Sequence, residues 1–249
     1  MLNLNLRASN DDSASAKGVA SSYSAPKRYY REVGSGEASS RPRIVVAFAG
    51  TDLMSIKNIF DDIQADLVLH EYGGHCEKCR VHGGFVASYK LVEKQIRATV
   101  ALHLRRNPTA EVVITGHSFG GALATLCLLD LRLTLGGNIS FAPLYTYGIP
   151  RVGNAPFATY SASIGVPIFR VVHHRDPVPH LPFLFWGYVH PPREVFYDAP
   201  MTSYVVCDDS GEDPTCSDQF LSAPNFAYIN DHFSYLGVDY ATSYLQCLL

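Results

Sequence analysis

At 249 residues the chain has the length of one large α/β domain or two small ones, and 47% hydrophobic with 17% charged residues is an ordinary globular composition. A net charge of −3 leaves no basic footprint for nucleic acid or for an acidic membrane surface. No apolar run approaches the length needed to cross a bilayer, and the opening Met1-Leu2-Asn3-Leu4-Asn5-Leu6 lacks the apolar core of a signal peptide.

Residues 1–40 are rich in Ser, Ala, Gly and Asn with little periodicity, so an irregular N-terminal segment is expected, ending at Gly34-Ser35-Gly36. The continuous apolar run 43–49 predicts a central strand that leads into Gly50-Thr51-Asp52. Over 55–68, Ile56, Ile59, Phe60, Ile63 and Leu67 recur at helical spacing, with Lys57, Asn58, Asp61, Asp62 and Gln64 between them. The pattern suits an ordinary surface helix, but its place after a Gly-Thr loop favours a mobile lid, within 52–68, over an apolar cleft. His82-Gly83-Gly84 precedes a helix over 85–106, which Asn107-Pro108 ends. The β-branched run Val112-Val113-Ile114 reads as a buried strand, followed by a helix to about residue 135. Asn138-Ile139-Ser140 is a glycosylation sequon, meaningful only in a secreted chain. Further strands are expected over 144–148 and 168–173, with a helix over 155–164 between them, and a late hairpin at the sheet edge from 194–197 and 203–206. Strands alternating with helices imply a mainly parallel sheet with helices on both faces. There is no internal repeat.

The chemistry centres on Gly116-His117-Ser118-Phe119-Gly120, between that strand and the apolar helix start Gly121-Ala122-Leu123-Ala124. In that frame Gly-x-Ser-x-Gly is the nucleophile elbow of α/β-hydrolases. A very tight strand-to-helix turn projects the serine hydroxyl into a cleft, and glycine is needed at 116 and 120 because side chains there would collide with backbone. The helix N-terminus behind the serine favours developing negative charge. A serine needs a base, held in one tautomer by a carboxylate, in the chain order Ser, Asp or Glu, His. Asp176, after the strand ending at His173, is the expected acid, with Asp198 its competitor. His232, near the C-terminus, is the expected base. His180 is too close in sequence to Asp176, and His190 lies among prolines. His117, His173 and His174 read as packing residues. The backbone N–H groups of Phe119 and Thr51 would hold the oxyanion, with the Thr51 hydroxyl a further donor.

Six cysteines include two close pairs, Cys76 with Cys79 and Cys207 with Cys216. Their spacing favours two disulfides and an oxidising compartment over a zinc site built with His75 and His82, and over free thiols. Cys127 reads as a buried thiol, and Cys247 has no evident partner.

From about residue 44 to the C-terminus the chain resembles the class 3 lipases of filamentous fungi, with the type-A feruloyl esterases as relatives. The matching stretches are Phe48-Ala49-Gly50-Thr51, Ser55-Ile56-Lys57-Asn58, Val81-His82-Gly83-Gly84-Phe85, 115–121, Tyr147-Gly148-Ile149-Pro150-Arg151-Val152-Gly153-Asn154, 175–182 and 231–237. The resemblance implies a single α/β-hydrolase domain over 1–249 with Ser118, Asp176 and His232 as triad and Thr51 with Phe119 as oxyanion hole. It also implies a lid helix over 55–63 and disulfides Cys76–Cys79 and Cys207–Cys216, with no metal or organic cofactor and no protein partner. Val178 and Phe233, beside the triad, are acyl-site candidates. Departures from the family are Ile59 where an aromatic residue is common, Ala49 where an arginine is common, and a 51–55 segment two residues longer. The family's N-terminal helix, with the cysteine that would pair with Cys247, is not recognisable in 1–40. The expected activity is that of a secreted triacylglycerol lipase gated at lipid–water interfaces. The alternatives are a feruloyl-type esterase for soluble esters and a non-catalytic binding module on a hydrolase fold.

Overall fold

The computed structural model describes residues 4–9, 41–50, 66–136, 138–220 and 226–240. Thr51, the lid residues Ile56, Ile59, Phe60 and Ile63, and Cys247 lie outside the described residues. An eight-stranded sheet forms the centre. Its strands are β1 (Leu4–Ser9), β2 (Arg43–Phe48), β5 (Glu111–His117), β6 (Ser140–Phe141), β7 (Leu144–Tyr147), β8 (Ile168–His173), β9 (Glu194–Tyr197) and β10 (Tyr204–Val206). The order is β1-β2-β5-β7-β8-β9-β10, with β6 pairing β5. Pairings from β2 to β9 are parallel, and the edge strands β1 and β10 are antiparallel. The hairpin expected at the edge is therefore β9–β10.

Helix α1 (Gly83–Arg106) and helix α2 (Phe119–Thr134) begin and end within two residues of their expected limits. Helix α3 (Ala155–Ser163) starts where the Asn154 side chain accepts the Phe157 N–H, a cap worth about 1 kcal/mol. Gly120 to Leu131 of α2 are all buried, so this helix is enclosed around its whole circumference, and its one buried charge, Asp130, is met by the Tyr89 hydroxyl and Arg97. Ile44, Val46 and Phe48 of β2 and Val112 and Ile114 of β5 alternate with half-buried neighbours and present one fully buried face to the core. Full burial of each such side chain contributes about 1.5–3 kcal/mol. The elbow thus rests on fully buried core residues.

Two expectations need correction. Leu4–Ser9, expected to be irregular, forms β1 against β2, with Leu4 opposite Phe48 and Ser9 opposite Arg43. The alternation of Leu4 and Leu6 with Asn5 and Arg7 is too short to signal alone, and an edge strand takes its conformation from the partner it meets. The helix expected over 55–68 lies mostly outside the described residues, and its last two residues are not helical. Leu67–Leu69 is a strand, β3, paired antiparallel with β4 (Arg80–His82). An apolar triplet containing Val68 satisfies its backbone on a neighbouring strand as readily as in a last helical turn. No helix among the described residues is long and apolar enough to cross a membrane.

Candidate active site

Ser118 sits between β5 and α2 at φ 55 and ψ −130, a conformation that a non-glycine residue holds only at a cost of about 1–3 kcal/mol. Its surroundings over-determine it. The Ser118 N–H donates to the Tyr147 carbonyl at 2.8 Å, and its carbonyl accepts the Gly121 N–H at 2.9 Å. A Cβ on Gly116 would lie 2.3 Å from the Gly120 carbonyl oxygen, and one on Gly120 would lie 2.4 Å from the Phe48 carbonyl oxygen. Both glycines are therefore required by backbone contact, as the motif predicts. Gly50, at the exit of β2, lies beside the serine: a Cβ there would be 3.5 Å from Ser118 Cβ. Phe119 opens α2, where a backbone N–H has no intrahelical acceptor. Its ring meets Phe85 edge-on at 5.5 Å, and Phe85 stacks on His82 at 4.1 Å.

Asp176 and His232 are both fully buried, and His232 Nδ1 donates to the carboxylate at 2.9 and 3.0 Å. Val178 N–H donates to Asp176 Oδ1 at 2.9 Å, and the Tyr235 hydroxyl donates to Oδ2. Burial pushes the Asp176 carboxyl up, but His232 and the donated hydrogen bonds outweigh it and hold the group below the usual carboxylate range. Tyr235 in turn accepts the His173 N–H at 3.2 Å. Carboxylate, imidazole and phenol converge on Gly148. At φ 55, a Cβ there would lie 2.6 Å from Asp176 Oδ2 and 2.9 Å from both His232 Nδ1 and the Tyr235 hydroxyl. His232 Nε2 is buried and has no hydrogen-bond partner among the described residues. With Nδ1 committed to Asp176, that nitrogen is the basic one.

His232 is tied to the elbow one residue from the serine. His117 Nε2 donates to the His232 carbonyl at 2.7 Å, and the two rings are 4.5 Å apart. Tyr240 covers the other side of His117, stacked at 4.2 Å. Burial and the neighbouring His232 push His117 down to about 3, so it is neutral. The His232 turn, α4 (Ile229–Phe233), is stapled to the acid loop as well. Asp231 Oδ2 accepts from Arg175 N–H and from His174 Nδ1, each at 3.1 Å, and His173 Nδ1 lies 3.0 Å from the Asp231 carbonyl. These three histidines pack and brace, as expected. Asp198 is set apart from the site: its carboxylate takes the Thr202 and Ser203 N–H groups of its own turn. Val178 is buried and Phe233 lies edge-on to His232 at 5.4 Å.

Tyr235, Gly148 and a second buried network behind the acid loop carry no signal of their own in the sequence. In that network Arg151 is fully buried and bidentate to Glu212 at 2.8 and 2.6 Å. Its remaining terminal nitrogen reaches the carbonyls of His180 at 2.6 Å and Pro182 at 3.0 Å, just past Asp176. Arg170, also fully buried, bonds the carbonyls of Pro191 and Gly211 and pairs with Glu194 at 3.3 Å. Gly211 and Glu212 belong to the loop closed by the Cys207–Cys216 disulfide, and Cys76 and Cys79 are likewise bonded. Cys127 is a buried free thiol.

A tight-turn serine at the carboxyl end of a parallel sheet, with a buried Asp–His pair from later loops, defines an α/β-hydrolase. A family profile described as Lipase (class 3) matches residues 45–186, and the chain belongs to that family. It is 40% identical over 162 residues to a lipase of Rhizomucor miehei, across 64% of this chain and 44% of that one. Lipase II from Rhizopus niveus superposes with a TM-score of 0.73 at 32% identity, covering 80% of this chain and 73% of its own. A triacylglycerol lipase whose catalytic centre is formed by a serine protease triad superposes at 0.70 with 34% identity, over 80% and 73% of the two chains. The chain spans 44% of the length of the Rhizomucor relative and 52% of a Penicillium one.

Proposed function

We propose that the chain is a serine carboxylic-ester hydrolase, a triacylglycerol lipase acting through an acyl-enzyme on Ser118. The buried His232–Asp176 pair, with Nε2 left unengaged and tied through His117 to the elbow, is the observation that carries this reading. His232 Nε2 takes the Ser118 proton as the hydroxyl attacks the ester carbonyl, and Asp176 steadies the imidazolium. Backbone N–H groups of Phe119 and Thr51 hold the oxyanion, each worth roughly 3 kcal/mol. The alcohol leaves with the proton from His232, and water then deacylates the serine by the same route reversed. Ile56, Ile59, Phe60 and Ile63 form the lid face that meets lipid, and Val178 and Phe233 line the acyl site. The disulfides and the secreted relatives support an extracellular location, and we assign 1–249 to one domain.

The test is the initial rate on a short-chain triglyceride, scanned from below to above its solubility limit, with Ser118→Ala as control. A sharp rise when droplets form, absent in the variant, is expected. Saturation below the limit with no rise at the interface would move the assignment to a soluble-ester hydrolase, with methyl ferulate the next substrate.

A further inference from the structure

The run Phe183-Leu184-Phe185-Trp186 takes no part in the triad, yet it is built to remain exposed. It forms one 3-10 turn, Leu184–Trp186, closed by Gly187 at φ 85. Phe185 is 77% exposed and Leu184 38%. Apolar side chains normally fold back onto the nearest apolar surface. Here the rings pack on one another instead: Phe183 and Phe185 stack at 5.0 Å, and Trp186 meets them edge-on at 5.0 and 5.5 Å. Mutual packing fixes the rings while leaving Phe185 in water and Phe183 and Trp186 half-buried, so docking costs little further side-chain entropy.

The surroundings select the partner. Residues 177–189 contain no Asp, Glu, Lys or Arg, and their only histidine, His180, is buried. A protein partner is usually met by a polar rim with hydrogen-bonding groups. A lipid surface asks for no directional partner, only apolar area with an indole N–H at headgroup level. The turn also stands in the right place. It leaves the carboxyl end of the sheet in the same loop as Asp176, and Gly187 lies against Leu67, a Cβ there being 3.7 Å from Leu67 Cδ1. Its base is held firmly, since Arg151 donates to the carbonyls of His180, Leu181 and Pro182.

We propose that residues 183–186 are a lipid-surface anchor, a preformed aromatic turn that inserts into a neutral lipid–water interface beside the cleft. The proposal rests on the lipase reading for what the bound lipid is used for, but its test is separate. Trp186 is the only tryptophan of the chain, so tryptophan emission reports this turn alone. Full-length Ser118→Ala protein is titrated with phosphatidylcholine vesicles, with and without acyl-chain-brominated lipid. Partition with a blue shift, and quenching by the brominated lipid, are expected. In the same background Phe185→Ser should weaken partition about tenfold. Leu91→Ser removes an equally exposed leucine (78%) from α1 and should change nothing. Circular dichroism on each variant separates lost anchoring from lost fold. Absence of partition, partition with unshifted Trp186 emission, or an unaffected Phe185→Ser would each overturn the proposal. So would a concentration-dependent dimer in buffer that Phe185→Ser abolishes, which would assign the turn to a second copy of the chain. Failure of the lipase reading looks different: Trp186 inserts but the Ser118 protein hydrolyses no emulsified triglyceride. Hydrolysis with a silent Trp186 sinks the anchor and leaves the lipase reading standing.

Discussion

His232 and Arg151 are both fully buried polar side chains, and both serve the loop that follows Asp176, but they are satisfied differently. Every nitrogen of the Arg151 guanidinium is engaged, by Glu212 and by two carbonyls. His232 has one nitrogen spent on Asp176 and one left over. An unpartnered buried polar atom costs about 1–3 kcal/mol, and of these two side chains the imidazole is the one that carries it. A closed network holds position, whereas an open one can take a proton. In the proposed mechanism the open network is the one that takes part in the chemistry, and the closed one holds the loop in place.

Substitutions can separate the two. Ser118→Ala should lower kcat about a million-fold without moving the unfolding midpoint, and Asp176→Asn about ten-thousand-fold, because His232 would lose its tautomer. Both are read from rates on a dissolved ester beside thermal scans. Glu212→Ala should act the other way round. It leaves Arg151 buried without its main counter-charge, so stability should fall by about 3–5 kcal/mol in a urea titration, with kcat following only as the acid loop loosens. A Glu212→Ala protein with unchanged stability would break the comparison.

Acid should unfold the protein through its neutral buried histidines. Burial, with His232 beside it, pushes His117 down to about 3, and burial with Arg170 and Arg151 nearby holds His190 well below its ordinary value. In the unfolded chain both bind protons below about pH 6.5, so stability should fall as pH drops from there towards 3, by on the order of a few kcal/mol. Asp176 has the opposite shift. Its contribution is complete above about pH 4 and is lost only as pH falls through its lowered value, so it adds to the same acid limb at a lower pH. Urea midpoints at pH 7, 5.5 and 4.5 check the order. Tyr235→Phe should have the smallest effect, about 1.5 kcal/mol or tenfold in kcat with KM unchanged. Losing that donor also raises the Asp176 pKa, so acid inactivation should begin at higher pH.

The sequence carried the elbow plainly, because its strand, two glycines and apolar helix are contiguous and obey local sterics. The buried Asp176–His232 pair is legible through chain order, the place of Asp176 after a strand, and the position of His232 near the C-terminus. Tyr235 was not, since its value comes from a contact across 59 residues, and a tyrosine three places after a histidine signals nothing alone. Arg151 was harder still. It stands out in the sequence only as part of a family stretch, and a fully buried arginine paired across 61 residues runs against the ordinary surface preference of its type. Leu4–Ser9 is illegible for a related reason: six residues at a sheet edge have no strong pattern until β2 supplies the partner.

The central claim is that Ser118 is made nucleophilic by the His232–Asp176 pair. Stoichiometric labelling of folded protein by an alkyl fluorophosphonate, followed by peptide mass spectrometry, tests it most directly. One adduct per chain on Ser118, slowed at least a thousand-fold in His232→Ala while that variant remains folded, is the predicted result. No adduct on folded wild-type protein, or equal labelling of the His232 variant, would contradict it.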